Sequence, residues 1–232
     1  EKFHAKTKLT KLGNQINEKF WPEEWKTIHY KGYSRLDEII LPKPKLSRKI
    51  SLKMALKKRI SGRDFSKEPI GLEKIGTLLK FSAGVNIDLR RFYPSAGGRY
   101  PLEVYIISQN TEIPKGIYHY YLKNHSLEKL RSLQDFNHKA YFNQPWIAKA
   151  SVIILISAVF NRNTVKYGDR GYRHVMIEAG HLSQNFYLNS AALNLSCCSI
   201  GGFLDDKFNK LLDVDGVEES VVCTLAIGET PA

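Results

Sequence analysis

The fold is decided by a run of small residues that leads into a strand: Ser95-Ala96-Gly97-Gly98-Arg99-Tyr100-Pro101-Leu102-Glu103-Val104-Tyr105. Small side chains from Ser95 to Gly98 let the backbone approach a flat ligand, and successive amides there can bind an anion. Pro101 then fixes the backbone at the entry to the strand. The stretch therefore predicts a ligand-contacting loop in front of a buried strand, rather than a plain turn.

The segments around this stretch predict an α+β domain. Apolar residues recur at helical spacing from Gly71 to Ala83 and, over about six turns, from Tyr172 to Leu193. Helices that alternate with strands indicate a central sheet with helices packed on it. The remaining predicted elements are strands at 103–108, 151–159, 195–200 and 220–227, a hairpin at 116–133, and short helices at 52–60 and 205–212.

The first fifty residues differ from the rest of the chain. They are polar and aromatic, with Trp21-Pro22, Trp25 and a Leu41-Pro42-Lys43-Pro44 break. The chain has 232 residues, which suits one domain with an extension better than two full domains. We expect residues 1–50 to form an extended arm that lies on the body, and residues 51–232 to form the domain.

The chain is strongly basic, with 35 Lys and Arg against 23 Asp and Glu and a net charge of +12. Such a charge attracts polyanions. The basic residues are scattered, however, and no RNP-like motif or zinc-finger spacing accompanies them. We therefore do not expect nucleic-acid binding, although a non-catalytic basic binding module stays open as the alternative from another functional class.

The cysteines and the apolar stretches indicate a soluble, cytoplasmic protein. Cys197, Cys198 and Cys223 lack the spacing of a disulfide framework, which favours a reducing compartment. The longest apolar stretch, Ala150 to Phe160, is about half the length that spans a bilayer. No apolar segment near residue 1 precedes a cleavage site, so we expect neither a signal peptide nor membrane association.

Two further segments carry groups suited to chemistry. Arg59-Ile60-Ser61-Gly62-Arg63, at the end of a predicted helix, offers two guanidinium groups and a hydroxyl that can bind a phosphate or a polar ring edge. Cys198-Ser199-Ile200-Gly201-Gly202-Phe203 is a strand that runs into two glycines and exposes backbone amides at a sheet end. On spacing alone, a solvated helix end is the default interpretation of the first segment.

With these segments in place, the chain resembles the SagB-type azoline dehydrogenases, a branch of the flavin-dependent nitroreductase superfamily. The resemblance covers most of the chain, and its motifs occur in order. Besides residues 95–105, they are Phe3-His4-Ala5-Lys6-Thr7-Lys8, Leu41-Pro42, Lys166-Tyr167-Gly168-Asp169-Arg170-Gly171-Tyr172-Arg173, Ile177-Glu178-Ala179-Gly180-His181 and Ile200-Gly201-Gly202-Phe203.

The resemblance implies a nitroreductase-like FMN-binding fold, with a central antiparallel or mixed sheet flanked by helices, working as a homodimer. It implies three FMN-binding segments in this chain. They are Arg59, Ser61 and Arg63 for the phosphate, ribityl chain and pyrimidine edge; Pro94, Ser95, Ala96, Gly97 and Gly98 for a loop that reaches the flavin held mainly by the other subunit; and Ser199, Ile200, Gly201 and Gly202 for the strand end that faces flavin N5.

The family often adds a basic residue on the phosphate after the last strand. The given chain ends soon after Ile227-Gly228-Glu229, so we expect this contact to be missing or to come from elsewhere. Arg99 and Arg173 are the candidates for it.

Lys166 and Tyr167 match the family's proposed catalytic pair. An azoline ring becomes aromatic when it loses a hydride to FMN and a proton to a base. A phenol has a pKa near ~10, and we expect the Lys166 ammonium to lower the pKa of Tyr167. Consecutive residues do not share a helix face, so we expect irregular backbone at the pair. Without the resemblance, a surface Lys beside a packing Tyr is the simpler interpretation.

Two other patterns suggest metal sites that we do not expect. His174, Glu178 and His181 share a helix face, but satisfied polar residues in a packed helix explain them better. Asp213-Val214-Asp215-Gly216 lacks the downstream ligands of a calcium loop and is interpreted as a turn.

The function implied by the resemblance is oxidation of thiazolines or oxazolines in a ribosomally made peptide to thiazoles or oxazoles, with oxygen reoxidising the flavin. The implied partners are a cyclodehydratase complex and a leader-bearing peptide substrate. An NAD(P)H-dependent nitro- or quinone reductase is the alternative within the superfamily.

Overall fold

A seven-stranded antiparallel sheet forms the centre of the computed structural model, which describes residues 2–8, 17–47, 50–86, 88 and 90–231. The strands are β1 (Glu38–Ile40), β2 (Leu102–Ser108), β3 (Gly116–Tyr121), β4 (Ser126–Ser132), β5 (Val152–Val159), β6 (Leu195–Ile200) and β7 (Glu219–Glu229). Their order across the sheet is β1-β4-β3-β2-β5-β7-β6. The α+β arrangement with a central sheet flanked by helices, expected from the sequence, is confirmed.

Seven α-helices accompany the sheet in the described part of the chain. They are α1 (Lys2–Lys6), α2 (Glu23–Lys26), α3 (Leu52–Lys58), α4 (Leu72–Ala83), α5 (Asn161–Tyr167), α6 (Arg170–Leu193) and α7 (Asp205–Leu212). None of these described helices is both long enough and apolar enough to cross a membrane.

Both faces of the sheet are covered. β2 is buried along its whole length and pairs with β5 from Leu102↔Ala158 to Ser108↔Val152. These strands have continuous apolar runs instead of alternating apolar and polar residues, because both of their faces are buried. One core lies under α4 and α6, where Val175, Leu182 and Phe186 are fully buried; the other lies under α7.

The N-terminal arm is more structured than expected. β1 pairs with β4 and extends the sheet, and two short helices precede it. Trp25 Nε1 donates to the Val165 carbonyl at 3.2 Å, and the Tyr33 N–H donates to Glu128 Oε1 at 2.7 Å. The prediction of an extended arm is therefore wrong in part, while the boundary at residue 50 stays a prediction.

Helix α5 was not predicted. Its sequence, NRNTVKY, has no apolar stripe, so hydrophobic periodicity gives no signal for it. Gly168, with φ +52°, ends the helix and turns the chain toward α6.

Candidate active site

The first group of expected site residues meets at the end of β6. Ser61 Oγ lies 3.3 Å from Tyr187 Oη, and the Ser199 N–H donates to the same oxygen at 2.7 Å. The Arg59 guanidinium lies 5.6 Å from the centroid of the Tyr187 ring. Tyr187 thus joins the basic segment to the strand end. We call Arg59, Ser61, Tyr187, Ser199, Gly201 and Gly202 the strand-end cluster.

The basic segment of this cluster fits an anion. Among the described residues, no carboxylate pairs with Arg59 or Arg63, so both guanidinium groups keep donors for a ligand. Arg63 lies 6.0 Å from the centroid of the Trp146 ring. A cavity of about 230 Å³ opens beside the segment, between Ile60 and Tyr187. The donors and the space suit a phosphate group.

The glycines at the strand end leave open space beside the backbone. A Cβ at Gly201 would meet nothing within 4 Å, and at Gly202 one would meet only the Gln144 amide nitrogen at 3.0 Å and its Cδ at 4.0 Å. Within the described chain, the N–H groups of Gly201 and Gly202 have no acceptor. The Ser199 N–H is already bonded to Tyr187 Oη. The backbone N–H groups that can face a ring at this end are therefore those of Gly201 and Gly202.

The loop from Pro94 to Gly98 is held at its base by Ser95. The Ser95 hydroxyl accepts from the Tyr100 N–H at 2.8 Å and donates to Glu178 Oε2 at 2.5 Å. Gly97 and Gly98 follow with φ of +61° and +63°, a region that side chains with a Cβ rarely adopt. A Cβ at Gly98 would meet nothing within 4 Å. The loop therefore presents exposed backbone.

The expected catalytic pair converges on this loop. A Cβ at Gly97 would lie 2.5 Å from Tyr167 Oη and 3.2 Å from Lys166 Nζ. Lys166 Nζ also lies 3.3 Å from the centroid of the Trp21 ring, a close cation–π contact. We call Ser95, Gly97, Lys166, Tyr167 and Glu178 the loop cluster.

Two expectations about the pair are wrong. Lys166 and Tyr167 occupy the last turn of helix α5, and irregular backbone begins only at Gly168. Burial raises the pKa of Tyr167, against the opposing effect of the Arg99 charge. The Lys166 ammonium lies 3.3 Å from the centroid of the Trp21 ring and 5.6 Å from that of the Tyr167 ring.

Neither Arg99 nor Arg173, the candidates for a further phosphate contact, reaches the strand-end cluster of its own chain. Arg99 donates from Nε to the Arg162 carbonyl at 2.8 Å and from Nη2 to the Glu24 carbonyl at 2.6 Å. Arg173 donates to Thr7 Oγ1 at 2.5 Å and to the His4 carbonyl. Both arginines hold the N-terminal arm.

Glu178 is not the satisfied polar residue that the sequence suggested. The residue is 1% exposed, and its Oε1 has no hydrogen-bond partner among the described residues. Burial raises the pKa of this carboxyl to about 7, against the opposing effects of the Ser95 hydroxyl and the Arg91 charge. One turn earlier, the His174 ring lies 4.9 Å from that of Tyr167.

The two clusters lie on opposite sides of α6. Glu178 contacts the loop cluster, and Tyr187, nine residues later, contacts the strand-end cluster. At 3.6 residues per turn this separation is about 180° around the helix and about 13 Å along it. One chain therefore does not bring all the expected site residues onto one ligand.

The sequence did not point to Tyr187 as a site residue. It suggested that Glu178 is a satisfied polar residue in a packed helix, and it assigned no site role to Trp21. Tyr187 lies on α6 next to the buried Phe186, just outside the apolar stripe. An aromatic hydroxyl beside the stripe of a long helix was the available signal.

The comparisons with known proteins agree with this architecture. A family model described as "Nitroreductase family" matches residues 56–229. A protein of Methanocaldococcus jannaschii that carries the name nitroreductase is 35% identical over 171 residues, covering 71% of this chain and 85% of that protein.

Two more relatives are processing proteins of peptide toxins. The microcin B17-processing protein McbC of Escherichia coli is 28% identical over 166 residues, covering 67% of this chain and 61% of McbC. The trifolitoxin-processing protein TfxB of Rhizobium leguminosarum bv. trifolii is 23% identical over 164 residues, covering 66% of this chain and 43% of TfxB. This chain thus spans only part of both relatives.

Solved structures share the fold. A chain of the E. coli microcin synthetase McbBCD complex with truncated pro-MccB17 superimposes with a TM-score of 0.69 at 19% identity, covering 100% of this chain and 91% of that chain. A Desulfovibrio desulfuricans protein in complex with FMN superimposes with a TM-score of 0.56 at 17% identity, covering 78% and 87%.

Proposed function

This chain belongs to the nitroreductase family, and on that premise we propose that it is an FMN-dependent, SagB-type azoline dehydrogenase of peptide maturation. The observation that carries the proposal is the convergence of Lys166 and Tyr167 on Gly97, because this pair would then accept a proton beside the loop expected to face a flavin. The similarity to two toxin-processing proteins, McbC and TfxB, supports a peptide substrate.

The strand-end cluster would hold FMN. Arg59 and Arg63 would bind the phosphate, Ser61 the ribityl chain, and the N–H groups of Gly201 and Gly202 the polar edge of the ring. When bound, FMN accepts a hydride from the substrate and passes the electrons to oxygen. The remaining task of the chain is to orient the azoline and to accept its proton.

Tyr167 would accept that proton at Oη. An azoline ring that gives up a hydride and a proton gains a double bond, becomes aromatic and loses about 2 Da. Burial raises the pKa of Tyr167, and the Arg99 charge opposes that shift and favours the phenolate form. Lys166, held on the Trp21 ring, would keep its ammonium beside Gly97 and orient the substrate.

A homodimer would complete the site. Ile177, on the outer face of α6, is 57% exposed. On α3 and just beyond it, Leu52, Leu56 and Ile60 form a four-residue repeat with exposures of 68%, 53% and 67%. A second copy related by a two-fold axis across α6 would place its loop cluster against the strand-end cluster of the first. This arrangement explains why the two clusters face away from each other in one chain.

The proposed partners are a cyclodehydratase complex, which installs the azolines, and a leader-bearing precursor peptide. We place the reaction in the cytoplasm. The three cysteines are free thiols in the structure, as a reducing compartment would leave them.

An NAD(P)H-dependent nitro- or quinone reductase is the alternative. The observation in its favour is the 35% identity to a relative that carries the name nitroreductase, above the 28% identity to McbC.

The deciding experiment uses the purified protein reconstituted with FMN. We expect a yellow dimer that converts an azoline peptide, in air, to a product about 2 Da lighter per ring, as measured by mass spectrometry. Rapid bleaching by NAD(P)H with nitroaromatic turnover, and no mass loss on the peptide, would establish the reductase instead. A colourless protein that cannot take up FMN and binds nucleic acid with steep salt dependence would establish a basic binding module.

A further inference from the structure

A cavity of about 620 Å³ lies beneath the N-terminal arm, and none of its lining residues belongs to the strand-end cluster. Its volume is within the range of small-molecule sites. We call it the arm cavity. Basic side chains dominate its polar lining, which contains His29, Lys31, Arg99 and Arg162 but a single carboxylate, Glu24.

Two of the four basic residues have their own counter-ions. Lys31 Nζ lies 2.6 Å from Glu219 Oε2, and Arg162 pairs with the buried carboxylate of Glu103. His29 is exposed at the rim. Lys31 and Arg162 therefore need no further anion.

Arg99 differs from them. It is 2% exposed, and no carboxylate among the described residues pairs with it. Its hydrogen bonds from Nε and Nη2 go to the carbonyl oxygens of Arg162 and Glu24, which carry only partial charges. Nη1 has no protein partner in the described chain. A buried cation without a counter-ion is costly, so an anion in the cavity would be strongly favoured there.

The arm cavity adjoins the loop cluster. Val165 lines the cavity and immediately precedes Lys166, and its carbonyl accepts the Trp25 Nε1–H. Arg99 directly follows Gly98 and is close enough to Tyr167 to act on its phenol electrostatically. A ligand group held on Arg99 would therefore lie next to the catalytic pair.

We propose that the arm cavity binds a carboxylate of the substrate peptide on the free N–H groups of Arg99. That the carboxylate belongs to a peptide rests on the proposed function. That Arg99 binds an oxyanion does not depend on the proposed function. Nη1 and the second N–H of Nη2 form the fork that matches a carboxylate, which a lysine cannot reproduce. The ligand is an acidic side chain that neighbours the ring to be oxidised. Inorganic phosphate offers similar oxyanion chemistry and serves as the competing probe.

The test uses the full chain and two matched peptides, acetyl-Gly-Glu-Gly-amide and acetyl-Gly-Gln-Gly-amide, which differ by one carboxylate. Binding is followed by the fluorescence of the tryptophans, since Trp25 donates to the carbonyl of Val165, which lines the cavity. We expect the glutamate peptide to bind at least about tenfold more tightly. Arg99→Gln should abolish this preference, and Arg99→Lys should restore part of it. Arg90→Gln, which removes an exposed arginine elsewhere, should leave it unchanged.

Equal affinity of wild-type protein for the two peptides would overturn the proposal, whether or not the Arg99 variants fold. Tighter binding of inorganic phosphate than of the glutamate peptide would overturn the assignment to a peptide. An unchanged preference in folded Arg99→Gln would remove Arg99 as the receptor. None of these measurements requires azoline turnover, so their outcome is separate from that of the proposed function.

Discussion

At the scale of single residues, the proposed function assigns the proton transfer to Tyr167. Its phenol lies against Gly97, and removing the hydroxyl leaves the ring and its packing in place. We expect Tyr167→Phe to bind FMN normally but to form azoles at least about 100-fold more slowly, a typical contribution of a general base. Product mass and flavin absorbance measure the two properties.

The matched control is Tyr121→Phe, because Tyr121 lies at the end of β3 near the arm and its hydroxyl has no hydrogen-bond partner among the described residues. It should retain wild-type activity. Full azole formation by FMN-loaded Tyr167→Phe would remove Tyr167 as the base.

Glu178 gives a pH dependence whose sign follows from its environment. The pKa of Glu178 rises from 4.5 to about 7 on folding. Between these pH values the unfolded chain has released the proton and the folded chain still holds it, so the free energy of unfolding falls as the pH rises. The predicted loss is about 3 kcal/mol between pH 4.5 and 7. Glu178→Gln should lack this decline relative to wild type, as measured by urea unfolding at several pH values.

Other titrating groups are common to both proteins, so the difference between the two pH profiles isolates Glu178. Glu68→Gln, at an exposed position, should follow the wild-type profile. Parallel profiles for Glu178→Gln and wild type would show that the carboxyl has an ordinary pKa.

At the scale of elements, the loop before β2 depends on two glycines with different surroundings. Gly97 and Gly98 have nearly the same positive φ, so replacement by Ala should cost each about 1 kcal/mol through the backbone. Only at Gly97 would the new Cβ also meet Tyr167 Oη, at 2.5 Å. We expect Gly97→Ala to lower the unfolding free energy by at least about 1 kcal/mol more than Gly98→Ala. Equal losses would mean that the loop does not pack on Tyr167.

The sequence predicted the elements whose pattern reflects burial. The apolar stripe of α6 and the β-branched runs of β2 and β5 face packed cores, and all three appear as expected. Helix α5 and strand β1 escaped prediction because the first lacks a stripe and the second has three residues.

The sequence indicated three segments of the candidate site but neither all of its members nor its arrangement. Short motifs pointed to the loop, the basic segment and the strand end, whereas no motif pointed to Tyr187. Their placement on opposite sides of α6, the bridging hydroxyl of Tyr187 and the cation–π contact of Lys166 depend on long-range packing. Local spacing contains no information on these contacts.

At the scale of the whole molecule, the proposed site requires two chains. Ile177→Glu would put a charge on the exposed face of α6, and we expect it to yield a monomer by light scattering that binds FMN poorly. Ile40→Glu, which changes an exposed apolar residue on the edge strand β1, should remain dimeric. A dimeric Ile177→Glu variant would place the interface elsewhere.

Mixing two inactive variants tests the shared site most directly. Arg59→Ala damages the strand-end cluster, and Tyr167→Phe damages the loop cluster. If each site takes one cluster from each chain, a mixed dimer contains one doubly damaged site and one intact site. Refolding the variants together should then restore azole formation, measured as mass loss on an azoline peptide, to about a quarter of the wild-type rate. A mixture no more active than the two variants measured separately would contradict a site shared between chains.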